Sequence, residues 1–213
     1  MKKLFLITLL LTSILSKAEF ITATLYFNDG SKKTGFAELV EIEAKNVKFR
    51  TEIKGKTEKI PSTDLSKIEF TDKNDNKYLS IRIKIWGMAF LKYKYFEDKV
   101  WLYQIQEKQG YRLLTSVQQT RFATGAKNSY TDFGATFFYY AKKNEDIAYH
   151  GFLQSAAGVA IHASRVKEIK LMVNEMFKGK CILDQEIDKI KFDRKSGEDP
   201  FKVLEILVKS KCK

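Results

Sequence analysis

The sequence predicts an α+β protein: an antiparallel β-sheet body, either a sandwich or a partly closed barrel, followed by a short C-terminal helical segment. Three observations predict it. From Phe20 to about Gly151, apolar residues recur with a period of two in short runs rich in β-branched and aromatic side chains. Short polar turns separate those runs, and strands joined by tight turns pair antiparallel, because parallel pairing needs a crossover of about a dozen residues or more. After Gly151 the apolar spacing changes to that of a helix.

Taken in order, residues 1–18 carry the marks of a secretory signal peptide. Lys2 and Lys3 form a basic start, residues 4–15 an apolar stretch, and Ser16 and Ala18 put small residues at the −3 and −1 positions of a cleavage site. The stretch falls short of the ~20 residues that span a bilayer, and no cysteine follows it to take a lipid anchor. The expectation is a mature chain that begins near Glu19 and works in the periplasm, at the cell surface or in the medium.

Residues 19–151 make the expected β-rich body. Strands are predicted at 21–27, 46–53, 67–71, 79–86, 91–96, 100–106 and 135–141, with turns at 28–30, 54–56, 72–76 and 142–146. Residues 152–213 make the helical segment. Residues 152–162 are small and apolar and fit either state. Val166, Ile169, Val173, Met176 and Phe177 then fall on one helical stripe that ends at Gly179. Leu183, Ile187 and Ile190 form a second, shorter stripe. Asp199-Pro200 opens a third helix that Phe201, Leu204, Leu207 and Val208 continue. Short amphipathic helices gain most of their stability from packing, so these are expected to lie on the sheet.

Two cysteines occur, Cys181 at the start of the second helix and Cys212 at the end of the third. In a chain bound for an oxidising space this pattern favours a disulfide over two free thiols, since no further Cys or His completes a metal site. The bridge would close a loop of about 30 residues and add roughly 3–4 kcal/mol.

The formal net charge is +12, and removal of Lys2, Lys3 and Lys17 with the signal peptide leaves +9. Such a charge commonly marks nucleic-acid binding. Export redirects it toward lipid head groups, acidic glycans or phosphorylated polymers. The bases are mostly lysines and only two prolines occur, a composition that an AT-rich genome also produces, and net charge bears on solubility and attraction rather than on fold. No second long apolar run follows, so no transmembrane span is expected in the mature chain. The helical C-terminal third argues against an outer-membrane barrel, whose strands would run to the end.

Familiar catalytic and metal motifs fail on their spacing. Gly55-Lys56-Thr57 ends like a phosphate-binding loop, but Arg50 stands where its first glycine belongs. Asp72, Asn74 and Asn76 match the start of a calcium loop, yet Lys77 and Ile83 occupy its glycine and bidentate-acid positions. Both read as turns. The two histidines, His150 and His162, have no serine, cysteine or acid placed by sequence to partner them. The expectation is a chain without catalytic residues, metal or cofactor, leaning away from an enzyme.

Register arithmetic at the middle of the sheet yields one candidate site. If residues 87–89 form a hairpin loop, Trp86 pairs with Phe90, and Ile81, Ile83 and Ile85 share an apolar face with Tyr93, Tyr95 and Leu91. The opposite face then carries Arg82, Lys84, Lys92 and Lys94 interleaved with Trp86, Phe90, Trp101 and Tyr103. That array reads as a platform for an anionic ligand, with cations contacting the charge and rings stacking on sugar or planar groups. The same pattern also arises where lysine stems lie over exposed aromatics, or where the helical tail covers the face.

Several segments together suggest a type of protein. The 25–39 hairpin LYFNDGSKKTGFAEL, the KIPSTDLSKIEF strand, the VWLYQIQEKQGYRLL hairpin and the helical MFKGKC tail resemble secreted proteins of Bacteroidetes-type bacteria with a β-rich body and a short helical C-terminus. The resemblance spans most of the mature chain and implies a Gram-negative envelope, with no activity to carry over. The expected function is a non-enzymatic envelope or surface module that binds an anionic glycan or lipid head group through the basic-aromatic face. The alternatives are an assembly component that binds another envelope protein, and a hydrolase with an unfamiliar site.

Overall fold

Among the described residues, eleven strands form a single sheet and three helices cover part of its outer surface. The computed structural model describes residues 20–89, 92–124, 129–155, 162–192, 199–210 and 212; the expected signal peptide, residues 1–18, lies outside them. The strands are β1 (Ile21–Phe27), β2 (Lys32–Ala37), β3 (Asn46–Arg50), β4 (Glu58–Pro61), β5 (Leu65–Thr71), β6 (Lys77–Ala89), β7 (Lys92–Tyr95), β8 (Val100–Lys108), β9 (Tyr111–Thr124), β10 (Ser129–Lys142) and β11 (Ile147–Ser155). The helices are α1 (His162–Met176), α2 (Asp184–Asp188) and α3 (Asp199–Lys209).

Tight turns set the antiparallel order. Asp29 accepts bonds from the Ser31 N–H (2.8 Å) and hydroxyl (2.6 Å), and Gly30 at φ +86° completes the β1–β2 hairpin. Gln109 and Gly110 both take positive φ, the requirement of the two-residue hairpin loop whose twist matches its strands. Asp72, at the head of the failed calcium motif, closes the β5–β6 turn. It accepts from Asn76 Nδ2, the Asn76 and Asn74 N–H groups and the Tyr78 hydroxyl at 2.8–3.0 Å. These bonds, led by the Asn76 side chain, hold its carboxyl down at about 2.

The sheet runs β11-β10-β9-β8-β6-β5-β1-β2-β3-β4 and closes on itself, because β11 also pairs with β6. That pairing is parallel and brief: Ile147 lies at Lys84, Ala148 at Ile85 and Tyr149 at Trp86. The ring β6-β8-β9-β10-β11 is therefore a small barrel, and β5, β1, β2, β3 and β4 extend from its β6 side. Of the two architectures the sequence allowed, the partly closed barrel is the one formed.

Long β6 is the branch point. Its first half pairs with β5 on one edge and β8 on the other; its second half pairs with β11 and β7. Ile81 is the last residue opposite β5 and Lys84 the first opposite β11. Among the described residues no strand is paired with Arg82 and Ile83 on that edge, which leaves an opening in the wall.

Alternation along the strands sorts apolar side chains into three cores. Ile81, Ile83, Ile85, Val100, Leu102, Leu114, Tyr139 and Ala148 make the barrel's lining. Leu25, Phe49, Ile68, Phe70 and Trp101 anchor a second core under the N-terminal strands. The third lies outside the barrel, where Trp86, Leu113, Tyr140, Tyr149 and Phe152 receive Ile169, Met172, Val173, Met176 and Phe177 of the α1 region and Leu204 and Leu207 of α3. The predicted α1 stripe is thus buried on the sheet, and Gly179, at φ +71°, ends it by donating to the Asn174 carbonyl at 2.9 Å.

The β-rich body reaches further than its expected limit at residue 151. β11 continues to Ser155, and Phe152 is wholly buried against Phe138, with ring centroids 5.4 Å apart. Gly151 makes this packing possible, because a Cβ there would run into the Tyr140 ring. Cys181 and Cys212 stand at disulfide distance, with Cα atoms 5.6 Å apart, and tie the segment before α2 to the end of the chain beyond α3.

Candidate functional site

The eight residues of the expected platform do not assemble on one face. The structure pairs Trp86 with Tyr95, Gly87 with Lys94, Met88 with Tyr93 and Ala89 with Lys92. Relative to the expected Trp86–Phe90 pairing this is a shift by an odd number of residues, and an odd shift exchanges the faces of a strand. Tyr93 and Tyr95 come to the Trp86 side, while Lys92 and Lys94 go to the other. The physical reason is burial. In this register Trp86 and Tyr93 stack with centroids 4.5 Å apart beneath the helices, and the Tyr95 hydroxyl bonds to Glu175 and Lys178 of the α1 region. The alternating Lys-Tyr-Lys-Tyr of β7 offers aromatics to whichever face is covered.

Among the described residues, β8 pairs with β6 and not with β7. Arg82 lies opposite Trp101 and Ser80 opposite Tyr103. Trp101 is 1% exposed, and its Nε1 donates to Ser62 Oγ at 3.0 Å. The Tyr103 hydroxyl donates to the Val40 carbonyl and accepts from the Val40 N–H, both at 2.9 Å. Trp86 is 6% exposed. All three rings therefore serve cores, and Phe90 lies outside the described residues. Of the platform, Arg82 and Lys84 remain together, alternating on the outer face of β6.

Each of these two opens onto a recess. Beside Arg82, at the branch of β6, is a cleft of about 610 Å³. One wall is apolar, from Leu65, Leu79, Ile81 and Ile83; another is polar, from Asn28, Thr63, Ser66 and Gln104. Its remaining charges are Lys67, Lys99, Glu107, Arg112, Glu145 and Asp146. Most are matched: Lys99 with Asp146 at 2.5 Å, Arg112 with Glu107 at 3.7 Å, and Glu145 with Lys142 at 3.0 Å. Lys67 sits over the Tyr26 ring, 4.3 Å from its centroid. Arg82 has no carboxylate within ion-pair reach among the described residues, and its Nε is buried without a hydrogen-bond partner.

The second recess, of about 560 Å³, lies between the barrel and the helices and shares the Glu145-Asp146 wall. Lys84, Lys142, Lys178 and Lys180 line it with Tyr95 and Tyr149. Lys178 bonds to Glu175 at 2.5 Å and Lys84 to Glu97 at 3.2 Å. Glu97 is 89% exposed, so the latter pair is a weak, water-screened one.

His150 faces the barrel interior and is 6% exposed, between the rings of Phe137 and Tyr139. Neither ring nitrogen has a partner, and burial pushes its pKa down to about 4. Ser116, also fully buried, faces the same interior. Among the described residues no three His, Cys, Asp or Glu side chains group as metal ligands would.

Lys67, Lys99 and Arg112 are absent from the sequence-level site. Lys67 reaches Arg82 through the antiparallel β5–β6 pairing, which sets it opposite Ile81, whereas Glu145 and Asp146 reach the cleft because β11 closes the ring in parallel against β6, a pairing that no local pattern announces. The one available signal is the length of β6, whose apolar alternation outruns any single neighbour.

Comparison with known proteins finds no matching family model, no matching curated protein and no matching solved structure.

Proposed function

We propose that this chain is an exported, non-enzymatic binding module of the cell envelope, whose partner carries anionic groups. The observation that carries the reading is the pair Arg82 and Lys84 on the outer face of β6, each lining its own recess, with no carboxylate matched to Arg82 among the described residues. The signal-peptide pattern of residues 1–18 and the +9 charge of the remaining chain support it. The Cys181–Cys212 pair at disulfide distance is compatible with an oxidising compartment. So is the finding that no helix among the described residues is long and apolar enough to cross a membrane.

The test is binding of polygalacturonate and of phosphatidylglycerol vesicles at increasing salt. Arg82→Glu with Lys84→Glu is expected to weaken the salt-sensitive binding, while Lys92→Glu, on the opposite face, leaves it unchanged. Equal losses from both variants, or no binding by the natural protein, would sink the proposal. Retention of an envelope protein that ignores all three substitutions would favour the assembly role instead.

A further inference from the structure

We infer that the cleft at the branch of β6 takes a small amphiphilic acid: one carboxylate or phosphate group, held by the Arg82 guanidinium, on a largely apolar body. The inference rests on the anion-binding reading and narrows it to one headgroup. Three features of the cleft select this chemistry.

The first is the single unmatched guanidinium. Lys99 faces Asp146 and Arg112 faces Glu107 at 3.7 Å; the Nε of Arg112 is, like that of Arg82, buried without a hydrogen bond, but among the described residues Arg82 alone of the three lacks a carboxylate within ion-pair reach. A buried donor without a partner is costly, and a planar oxyanion meets a guanidinium with two parallel bonds. Arg82 is therefore the position where an anion gains most.

The second feature is the acidic side of the same cleft. Glu107, Glu145 and Asp146 line it as well. A ligand with closely spaced negative groups would place some of them against these carboxylates. One headgroup near Arg82 avoids that, with Lys67 close enough in the lining to add a second, softer attraction. A densely charged polymer does not fit this arrangement.

The third is the apolar wall. Leu65, Leu79, Ile81 and Ile83 line the cleft beside the arginine. Leu79, partly exposed, offers a hydrocarbon chain or ring a surface at roughly 25 cal/mol per Å² buried, and Leu65, Ile81 and Ile83, at 1–9% exposure, form the buried backing behind it. The volume, about 610 Å³, lies within the ~300–1,000 Å³ of small-molecule sites. The sheet supplies both halves of the recognition, because successive β6 residues alternate faces and the strand is uncovered there on one edge.

The experiment uses the purified mature protein, with octanoate, octyl phosphate, inorganic phosphate and long-chain polyphosphate as probes. Binding is followed by calorimetry and by the Nε–H resonance of Arg82. Octanoate or octyl phosphate is expected to bind one to one, to shift that resonance, and to bind about tenfold or more tightly than inorganic phosphate. Arg82→Gln and Arg82→Lys should each cost about tenfold or more, the lysine variant because it keeps the charge and loses the paired bonds. Thermal melts check that both variants fold. Vesicles containing phosphatidate separate a free acid from a membrane lipid as the source of the headgroup, and loss of binding in Arg82→Lys supports the inference for either source. Polyphosphate binding that exceeds the octyl probes, or an Arg82→Lys variant that binds like the natural protein, overturns the single-headgroup inference and leaves the anion-binding proposal standing. Failure of every anion to bind overturns both.

Discussion

Arg165 of α1 donates to Asp199 of α3 at 3.1 Å, and with side chains 9% and 1% exposed the two form an ion pair that water scarcely reaches. Lys202, one turn along α3, bonds to the other oxygen of Asp199 at 3.1 Å, and the Arg165 guanidinium lies over Phe152 of β11. The first helix, the last helix and the barrel wall thus meet at one charged point. Removing one member of a buried pair strands the other, which typically costs about 3–5 kcal/mol, whereas replacing both with apolar groups is often close to neutral. Asp199→Ala should therefore lower the unfolding free energy by about 3 kcal/mol in urea titrations. Arg165→Met combined with Asp199→Leu should lose less than Asp199→Ala alone. A double variant at least as unstable as the single one would show that the pair contributes attraction beyond its own desolvation.

The cysteine pair acts on the same tail from the other side. Cys181 and Cys212 are 31 residues apart in the chain, and closing a loop of that length restricts the unfolded chain by roughly 3–4 kcal/mol. The oxidised protein should be two hydrogens lighter than the reduced one by intact mass, and reduction should lower the melting temperature. Cys181→Ser should reproduce the reduced protein. A mass that does not respond to reductant would identify two free thiols.

How much of this was legible in the sequence depends on distance along the chain. The strand β9 (Tyr111–Thr124) is not among the strands the pattern predicts, whereas the hairpin at Gly30, the α1 stripe from Val166 to Phe177 and the Cys181–Cys212 pair rest on neighbours or on strong local chemistry, and they read directly from residue types. The β6–β7 register did not. Lys92-Tyr93-Lys94-Tyr95 alternates equally well in either register, and the choice is made by what covers each face. Trp86 and Tyr93 are drawn together under helices that begin some 70 residues later in the chain. The cleft is harder still, because it exists only where β5 leaves β6 and β11 arrives, so Arg82 could be singled out while Lys67 and Arg112 could not.

His150 should make the barrel acid-sensitive. Its ring is buried among Phe137, Tyr139 and Gly87 with neither nitrogen bonded, and burial holds its pKa near 4. In the unfolded chain the same imidazole titrates near 6.5. Between about pH 4 and pH 6.5 the unfolded chain binds the extra proton, so stability rises with pH through that window and the full contribution of the neutral ring is present only above it. The fall from pH 7 to pH 4 attributable to this residue is about 3 kcal/mol. His150→Phe should flatten the stability profile over that range, with the difference between the two proteins closing as pH drops. Parallel profiles would mean that the ring finds a proton acceptor in the fold.

Trp101 separates a core role from a ligand-stacking role most directly, since the basic-aromatic pattern of the sequence assigns it to the platform and the fold buries it. Its indole donates to Ser62 Oγ at 3.0 Å, and the Ser62 hydroxyl donates onward to the Ala44 carbonyl at 2.6 Å. Both residues are nearly inaccessible, at 1% and 2% exposure. The chain of bonds pins the 38–45 loop, whose Ile42 carbonyl accepts from the Trp101 N–H at 2.9 Å. Trp101→Phe removes the donor and part of the ring's volume, and Ser62→Ala leaves the indole N–H unpaired in an apolar site. Each should cost about 1–3 kcal/mol, measured by chemical denaturation. Because the two share one hydrogen bond, the double variant should lose less than the summed single losses. Neither substitution touches Arg82's charge, although Arg82 lies directly across the strand pair from Trp101. Affinity for octyl phosphate should therefore stay within about twofold of the natural protein at temperatures where the variants are folded, well short of the tenfold steps of a lost charged contact. A Trp101→Phe protein of unchanged stability but lost affinity would return Trp101 to the binding face, and with it the register that the sequence alone suggested.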